Sequence, residues 1–233
     1  MKIVKYVSLV LLPITLIIIL LCVSFIIPSF STSVYMNQFD RLGVAQQIGI
    51  SRDDLLLVTQ NIQRYMLGRD PELDVVVSIH GQVRPFFSER EILHMIDVLF
   101  LYDTGFKILW ASVFVFLIVC ILIIRKKYFY EAAKSLSIGI GSFLAASGIL
   151  VTIIALNFDR AFVIFHEIFF DNDLWLLDPR TDLMINIMPQ QFFINISAMI
   201  AMYFLGSMLA VFAASLYYWV SKAKRKRKPL RFS

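Results

Sequence analysis

Apolar residues gather in four long runs: roughly Tyr6 to Ile27, Ile108 to Ile124, Leu136 to Leu156 and Ile194 to Val220. At a rise of about 1.5 Å per residue each can cross a bilayer, and none contains Asp, Glu, Lys or Arg. The pattern predicts an all-α membrane protein with four transmembrane helices at 6–27, 108–124, 136–156 and 194–220. Polar segments at 28–107, 125–135 and 157–193 join them, and a tail follows at 221–233. Pro28 is expected to end the first helix. The first run is longer than the apolar core of a cleavable leader, and Leu21 stands before Cys22 where a lipoprotein signal needs a small residue.

The first large polar segment, 28–107, suits a small mixed cap better than an independent domain. Ser51 and Asp54 have capping-box spacing, and Leu55, Val58, Thr59, Ile62 and Met66 keep helical spacing up to Gly68. Asp74 to Val83 is β-branched and contains a His80-Gly81 pair, the signature of a strand or hairpin. Ser88 with Glu91 caps a second helix carrying EREILHMIDV. In the other large segment, Phe158, Phe162, Phe165 and Phe169 have mixed three- and four-residue spacing, which predicts an aromatic-faced helix lying in the membrane interface. Asp178 before Pro179 reads as the start of a short helix that Pro189 closes.

Composition agrees with the pattern: 233 residues, 59% hydrophobic, mean hydropathy +0.76. The net charge of +5 is sorted by segment. The N-terminus, the short 125–135 loop and the tail carry thirteen positive charges against one negative, whereas 28–107 and 157–193 carry nine against sixteen. The positive-inside rule then places both termini in the cytoplasm and both large polar segments outside the cell membrane. The basic tail KAKRKRK reads as a topology anchor touching anionic lipid rather than as a nucleic-acid arm. Cys22 and Cys120 fall inside spans, away from any external disulfide or thiol chemistry.

Two histidines stand out. His94 has Glu91 and Asp97 three residues to either side on one helical face, where a carboxylate could fix its tautomer. His166 lies among aromatics at the bilayer boundary, with Glu167 beside it and Asp171, Asn172 and Asp173 about a turn later. A histidine that only settles a cap hydrogen bond is the alternative in each case. His80 belongs to a surface turn. A metal site from His94, His166 and Asp171 has no HExxH or close histidine pair behind it, and the serines lack a G-x-S-x-G context.

HMIDV at His94 to Val98, together with FHEIFFDNDLWLLDPRTDLMINIMPQQFF from Phe165, resembles the lipoprotein intramolecular transacylase family of Gram-positive bacteria. The resemblance extends over length, spans and both motifs in order. It implies an acyltransferase that moves the sn-2 acyl chain of a diacylglyceryl-cysteine lipoprotein to the cysteine α-amino group, giving the lyso form. It also implies catalytic histidines at His94 and His166. The family often has a basic residue after the first motif, where this chain has Leu99.

The chemistry fits the residues. Amine attack on the sn-2 ester closes an eight-membered ring, so holding the headgroup folded gains much of the rate. The α-amino group, with a reference pKa of about 7.7 to 8.0, must lose a proton before attacking. One histidine can take that proton while the other delivers one to the departing oxygen. No metal, cofactor or enzyme nucleophile is required. Glu91, Asp97, Glu167, Asp171, Asn172 and Trp175 are expected to support the two histidines, and Asn172, Trp175 and the helix starts near Ser88 and Asp178 could donate to an oxyanion. The rival from another class is a non-catalytic lipid-binding or assembly protein. Transport lacks the usual charged residue within a span.

Overall fold

The computed structural model describes residues 2–227; the end of the basic tail, residues 228–233, lies outside the described residues. The chain is an all-α membrane protein with one small hairpin, and four of its helices are long and apolar enough to cross a membrane. These are α1 (Lys2–Ser29), α5 (Glu89–Lys126), α6 (Phe129–Leu156) and α9 (Gln190–Arg227). Two compact units divide the described residues: 2–24, 106–156 and 201–227 form one, and 25–105 with 157–200 form the other.

The first unit is a helix bundle whose contacts depend on small residues. A Cβ on Gly139 would sit 2.7 Å from the Pro13 side chain, so α6 approaches α1 at a distance only glycine permits. Ser137 and Ser215 share a buried hydrogen bond of 3.0 Å between α6 and α9. Ile140, Phe204 and Met208 fill one apolar centre, and Leu12, Val119, Ile123 and Ala132 another. Where the helices become polar, Lys5 pairs with Glu131 at 2.7 Å and lies over the Tyr128 ring. That combination of lysine, carboxylate and tyrosine belongs at a headgroup boundary.

The second unit is the cap. Its α4 (Arg52–Met66) starts where Ser51 accepts the Asp54 N–H at 3.0 Å, and it buries Leu55, Val58, Thr59, Ile62 and Met66, the residues that set the sequence periodicity. Strands β1 (Val76–Ile79) and β2 (Gln82–Pro85) pair antiparallel across His80-Gly81, both at positive φ as a primed two-residue turn requires. The His80 ring fills the space a Gly49 side chain would need, at 2.2 Å, and Ile50 bridges Ile79 there. Helices α2 (Thr32–Leu42) and α3 (Val44–Ile48) were not expected; they are separated by Gly43 in the left-handed region. Phe39, Phe86, Phe192, Leu55 and Ile187 lie at the centre of the cap core.

Three boundaries differ from the sequence expectation. The first helix passes Pro28 and ends at Ser29. The EREILHMIDV helix and the second apolar run are one continuous helix, α5, because Asp103, Thr104 and Gly105 do not interrupt it and an interior glycine costs only about 1 kcal/mol. No helix starts at Asp178. Its carboxylate is taken by Arg180, which donates from both backbone and side chain, and the short helix α8 is confined to Met184–Ile187.

Candidate functional site

The site is built from the cap part of α5, from α7 (Phe158–Phe169) and from the segment after α7. At the start of α5 the capping box is reciprocal. Glu91 N–H donates to Ser88 Oγ at 3.2 Å, and Ser88 N–H donates to Glu91 Oε2 at 2.6 Å. Glu91 is fully buried, and its second oxygen accepts the Met184 N–H at 2.5 Å. Ser88 Oγ donates in turn to Asp182 at 2.8 Å, whose other oxygen accepts the Asp178 N–H at 2.8 Å. Two buried carboxylates thus fasten the 178–184 segment to the helix turn immediately before His94.

His94 is buried, and among the described residues its Nδ1 has no hydrogen-bond partner. Neither expected carboxylate orients it: Glu91 is committed to backbone donors, and Asp97 accepts from Asn172 Nδ2 at 2.9 Å. His94 lies on the cap side of α5, before Gly105. Burial, reinforced by His166, lowers its pKa to about 4, so the ring is neutral at physiological pH.

Helix α7 begins at Asn157, whose side chain accepts the Arg160 N–H at 3.1 Å. His166 is its one buried residue, while Phe165, Ile168 and Phe169 stay exposed. That is the reverse of a helix facing water. The His166 ring contacts Phe162 at 4.2 Å, stacks on Trp175 at 4.7 Å and 26°, and meets Phe165 and Phe170. Its Nδ1 is 2.7 Å from the Phe162 carbonyl oxygen. Burial lowers the His166 pKa, and the bond to that carbonyl opposes the shift.

The two histidine rings face each other at 6.3 Å and 35°, with Phe170 packed edge-on against His94 at 5.2 Å. One bound polar group making hydrogen bonds of about 2.8 Å can reach both rings. Beside them, Arg90 uses one terminal nitrogen on the Asp173 backbone carbonyl and on its carboxylate, 3.3 Å away. Asn172 Oδ1 accepts the Leu174 N–H, which fixes the loop leading to Trp175.

The remaining expected residues are placed differently. Glu167, on the exposed side of α7, and Asp171, in the exposed segment after it, hydrogen-bond neither histidine. His80 is exposed at its turn. Among the described residues no group of three His, Cys, Asp or Glu could hold a metal ion. Sequence reasoning missed Arg90, which its spacing of four from His94 could have marked, and Asp182, for which no local signal exists.

The chain matches the family described as "Lipoprotein intramolecular transacylase Lit" over residues 10–193. Among solved structures it is similar to the membrane integral lipoprotein intramolecular transacylase Lit from Bacillus cereus. The TM-score is 0.74 at 20% identity, covering 97% of this chain and 100% of the other. A form of that protein with a histidine-to-arginine mutation gives 0.73 at 19% identity, covering 97% and 96%. A histidine-to-alanine form gives 0.70 at 19%, covering 96% and 97%. At these identities the likeness is one of fold. Among curated proteins none matches this sequence.

Proposed function

Because the chain belongs to the lipoprotein intramolecular transacylase family, we propose that His94 and His166 move the protons of an acyl shift within one diacylglyceryl-cysteine lipoprotein. The observation that carries this reading is the facing of two buried histidines, brought together from α5 and α7 at 6.3 Å. Burying the His94 ring with an unpartnered Nδ1 has a free-energy cost, which supports a functional role over a purely structural one.

The hydrogen bonds support distinct roles. A carbonyl oxygen only accepts, so the Nδ1 of His166 carries the hydrogen and its Nε2 keeps the lone pair. His166 is therefore the base. The α-amino nitrogen, its ammonium proton already lost to water, attacks the sn-2 carbonyl carbon, forming the C–N bond, and His166 Nε2 takes the second proton that nitrogen sheds. Collapse of the tetrahedral intermediate breaks the bond to the sn-2 oxygen, which receives that proton from the His166 imidazolium. The products are an amide and a free sn-2 hydroxyl. His94, held neutral, brings no proton of its own to the departing oxygen; it hydrogen-bonds that oxygen instead. In place of one histidine taking the proton and the other delivering one, this reading gives both transfers to His166 and a hydrogen bond to His94.

The placement of α7 supports chemistry at the membrane surface. Its exposed phenylalanines and isoleucine suit acyl chains and headgroups, and they keep bulk water away from His166. Charge sorting supports a cap outside the cell membrane with both termini in the cytoplasm, where its substrates would be diacylglyceryl lipoproteins among membrane lipids. Mass spectrometry of a lipoprotein N-terminus, in cells lacking any other copy of the activity, tests the reading. Expression of this protein is expected to yield the lyso form, and no conversion by the wild-type protein would overturn the assignment.

A further inference from the structure

Among the described residues only three buried side-chain polar atoms lack a hydrogen-bond partner: Asn61 Oδ1, Arg90 Nε and His94 Nδ1. Two of the three belong to residues four apart on α5, which is neighbouring positions on one helical face. An unpaired buried donor on a charged group is more costly than one on a neutral group. Such atoms in a folded protein call for a ligand. The guanidinium of Arg90 is not free to turn its Nε–H elsewhere, because the terminal nitrogen is held by the carbonyl and carboxylate of Asp173. Asp173 is itself largely exposed, so it fixes the geometry while water screens much of its charge.

The reacting group has two oxygens that gain negative charge at different moments. The carbonyl oxygen gains it as the amine attacks, and the sn-2 oxygen gains it as the intermediate collapses. Of the two unpaired polar atoms, His94 Nδ1 belongs to the ring that faces the proposed base at 6.3 Å, and Arg90 Nε to the residue one turn before it on α5. We propose that Arg90 is a further catalytic residue, whose Nε–H donates to the carbonyl oxygen under attack and stabilises the oxyanion, leaving His94 to the sn-2 oxygen. The proposal rests on the acyl-transfer reading above. The Arg90 Nε is buried although 38% of the side chain is exposed, and a preorganised, partly desolvated cationic donor is worth more than the same donor in water. It also supplies what two neutral histidines cannot, a fixed positive charge where negative charge develops.

The test uses the full-length protein in lipid vesicles with a synthetic diacylglyceryl lipopeptide, reading kcat, KM and the pH profile. Arg90→Gln is expected to lower kcat by about 10²-fold or more, with KM and the midpoint of the pH profile little changed. Arg90→Lys keeps a charge that can pair with Asp173 but has no Nε–H, and is expected to lose nearly as much. It also serves if Arg90→Gln is not recovered in membranes. Asp173→Asn is expected to lose less than about fivefold, because the Asp173 backbone carbonyl still holds the guanidinium. Near-normal kcat in both Arg90 variants, a loss confined to KM, or an equal loss in Asp173→Asn would overturn the role of Arg90 and leave acyl transfer standing. An inactive wild-type protein would instead sink the reading on which it rests.

Discussion

His166 points its Nδ1 at the carbonyl of Phe162, 2.7 Å away and one turn back on α7. That bond sets the tautomer of the ring and, under the proposed mechanism, the direction of proton flow. Because burial also lowers the His166 pKa, the active form of the enzyme is the one with both histidines neutral. With substrate bound, kcat should rise with pH through two ionisations, that of His166 below the ordinary histidine value of about 6.5 and that of the attacking α-amino group near its reference value of about 7.7 to 8.0. No falling limb is expected near neutrality. A fall in kcat between about pH 6.5 and 8 would show that a protonated histidine is required and would reverse the assignment.

The same shifts act on stability. His94 in the unfolded chain takes up a proton near pH 6.5, but in the fold only near pH 4. Between those values the unfolded state binds more protons, so stability rises with pH and is lost as pH falls through the unfolded value toward the folded one. Thermal unfolding in detergent should therefore show a falling Tm from about pH 6.5 to about pH 4. His94→Asn should flatten that slope, and an unchanged slope would mean the ring is not buried in its neutral form.

Glu91 and Asp182 tie the α5 start to the segment after α7 through Ser88 and three backbone N–H groups. Removing either carboxylate leaves buried donors unmatched, at about 1–3 kcal/mol. Glu91→Ala and Asp182→Ala should each lower Tm by several degrees. Their double variant should lose less than the sum, since both act through Ser88. Strict additivity in the melts would show that the two carboxylates work independently.

Much of this was legible in the sequence because apolar periodicity and capping chemistry are local. Five of the seven buried positions of α4, the His80-Gly81 hairpin and the Ser88–Glu91 box all follow from neighbours within a turn or two. Helix α2 was not legible: the side chain of its cap residue Ser31 accepts no backbone N–H of the helix and meets the Ser33 hydroxyl instead, and its buried face includes Gln38, which pairs with the distant Asn195. The same limit applies at the site. Spacing marks His94 and His166, yet the partners that decide their roles are a backbone carbonyl, an aromatic wall and an arginine held by Asp173. The carboxylates nearest in sequence, Glu91 and Asp97, are consumed by other donors.

Orientation is a separate test. If charge sorting sets topology, a reporter fused to the C-terminus will be active only in the cytoplasm. A cysteine replacing the exposed Glu72 will react with impermeant thiol reagents added outside. Glu72 is a better probe than Asp70, which is paired with Arg64 at 2.8 Å. A protected Glu72 site with an external C-terminus would place the site on the wrong face for this chemistry.

The decisive experiment on the histidines is a double-mutant cycle. His94→Ala and His166→Ala should each lower turnover by about 10²-fold or more, because one loses the base and the other a hydrogen bond to the departing oxygen. If the two rings serve one tightly coupled transfer, as their 6.3 Å separation supports, the double variant loses less than the product of the single losses. His80 is the internal control, replaced by Asn because its backbone sits at positive φ, a conformation asparagine tolerates. His80→Asn, Cys22→Ala and Cys120→Ala should all retain nearly normal turnover, since attack by the substrate's own amine uses none of them. Near-normal conversion by the His94→Ala, His166→Ala protein would remove both rings from the mechanism, and loss in a well-folded cysteine variant would point to an acyl-enzyme thioester.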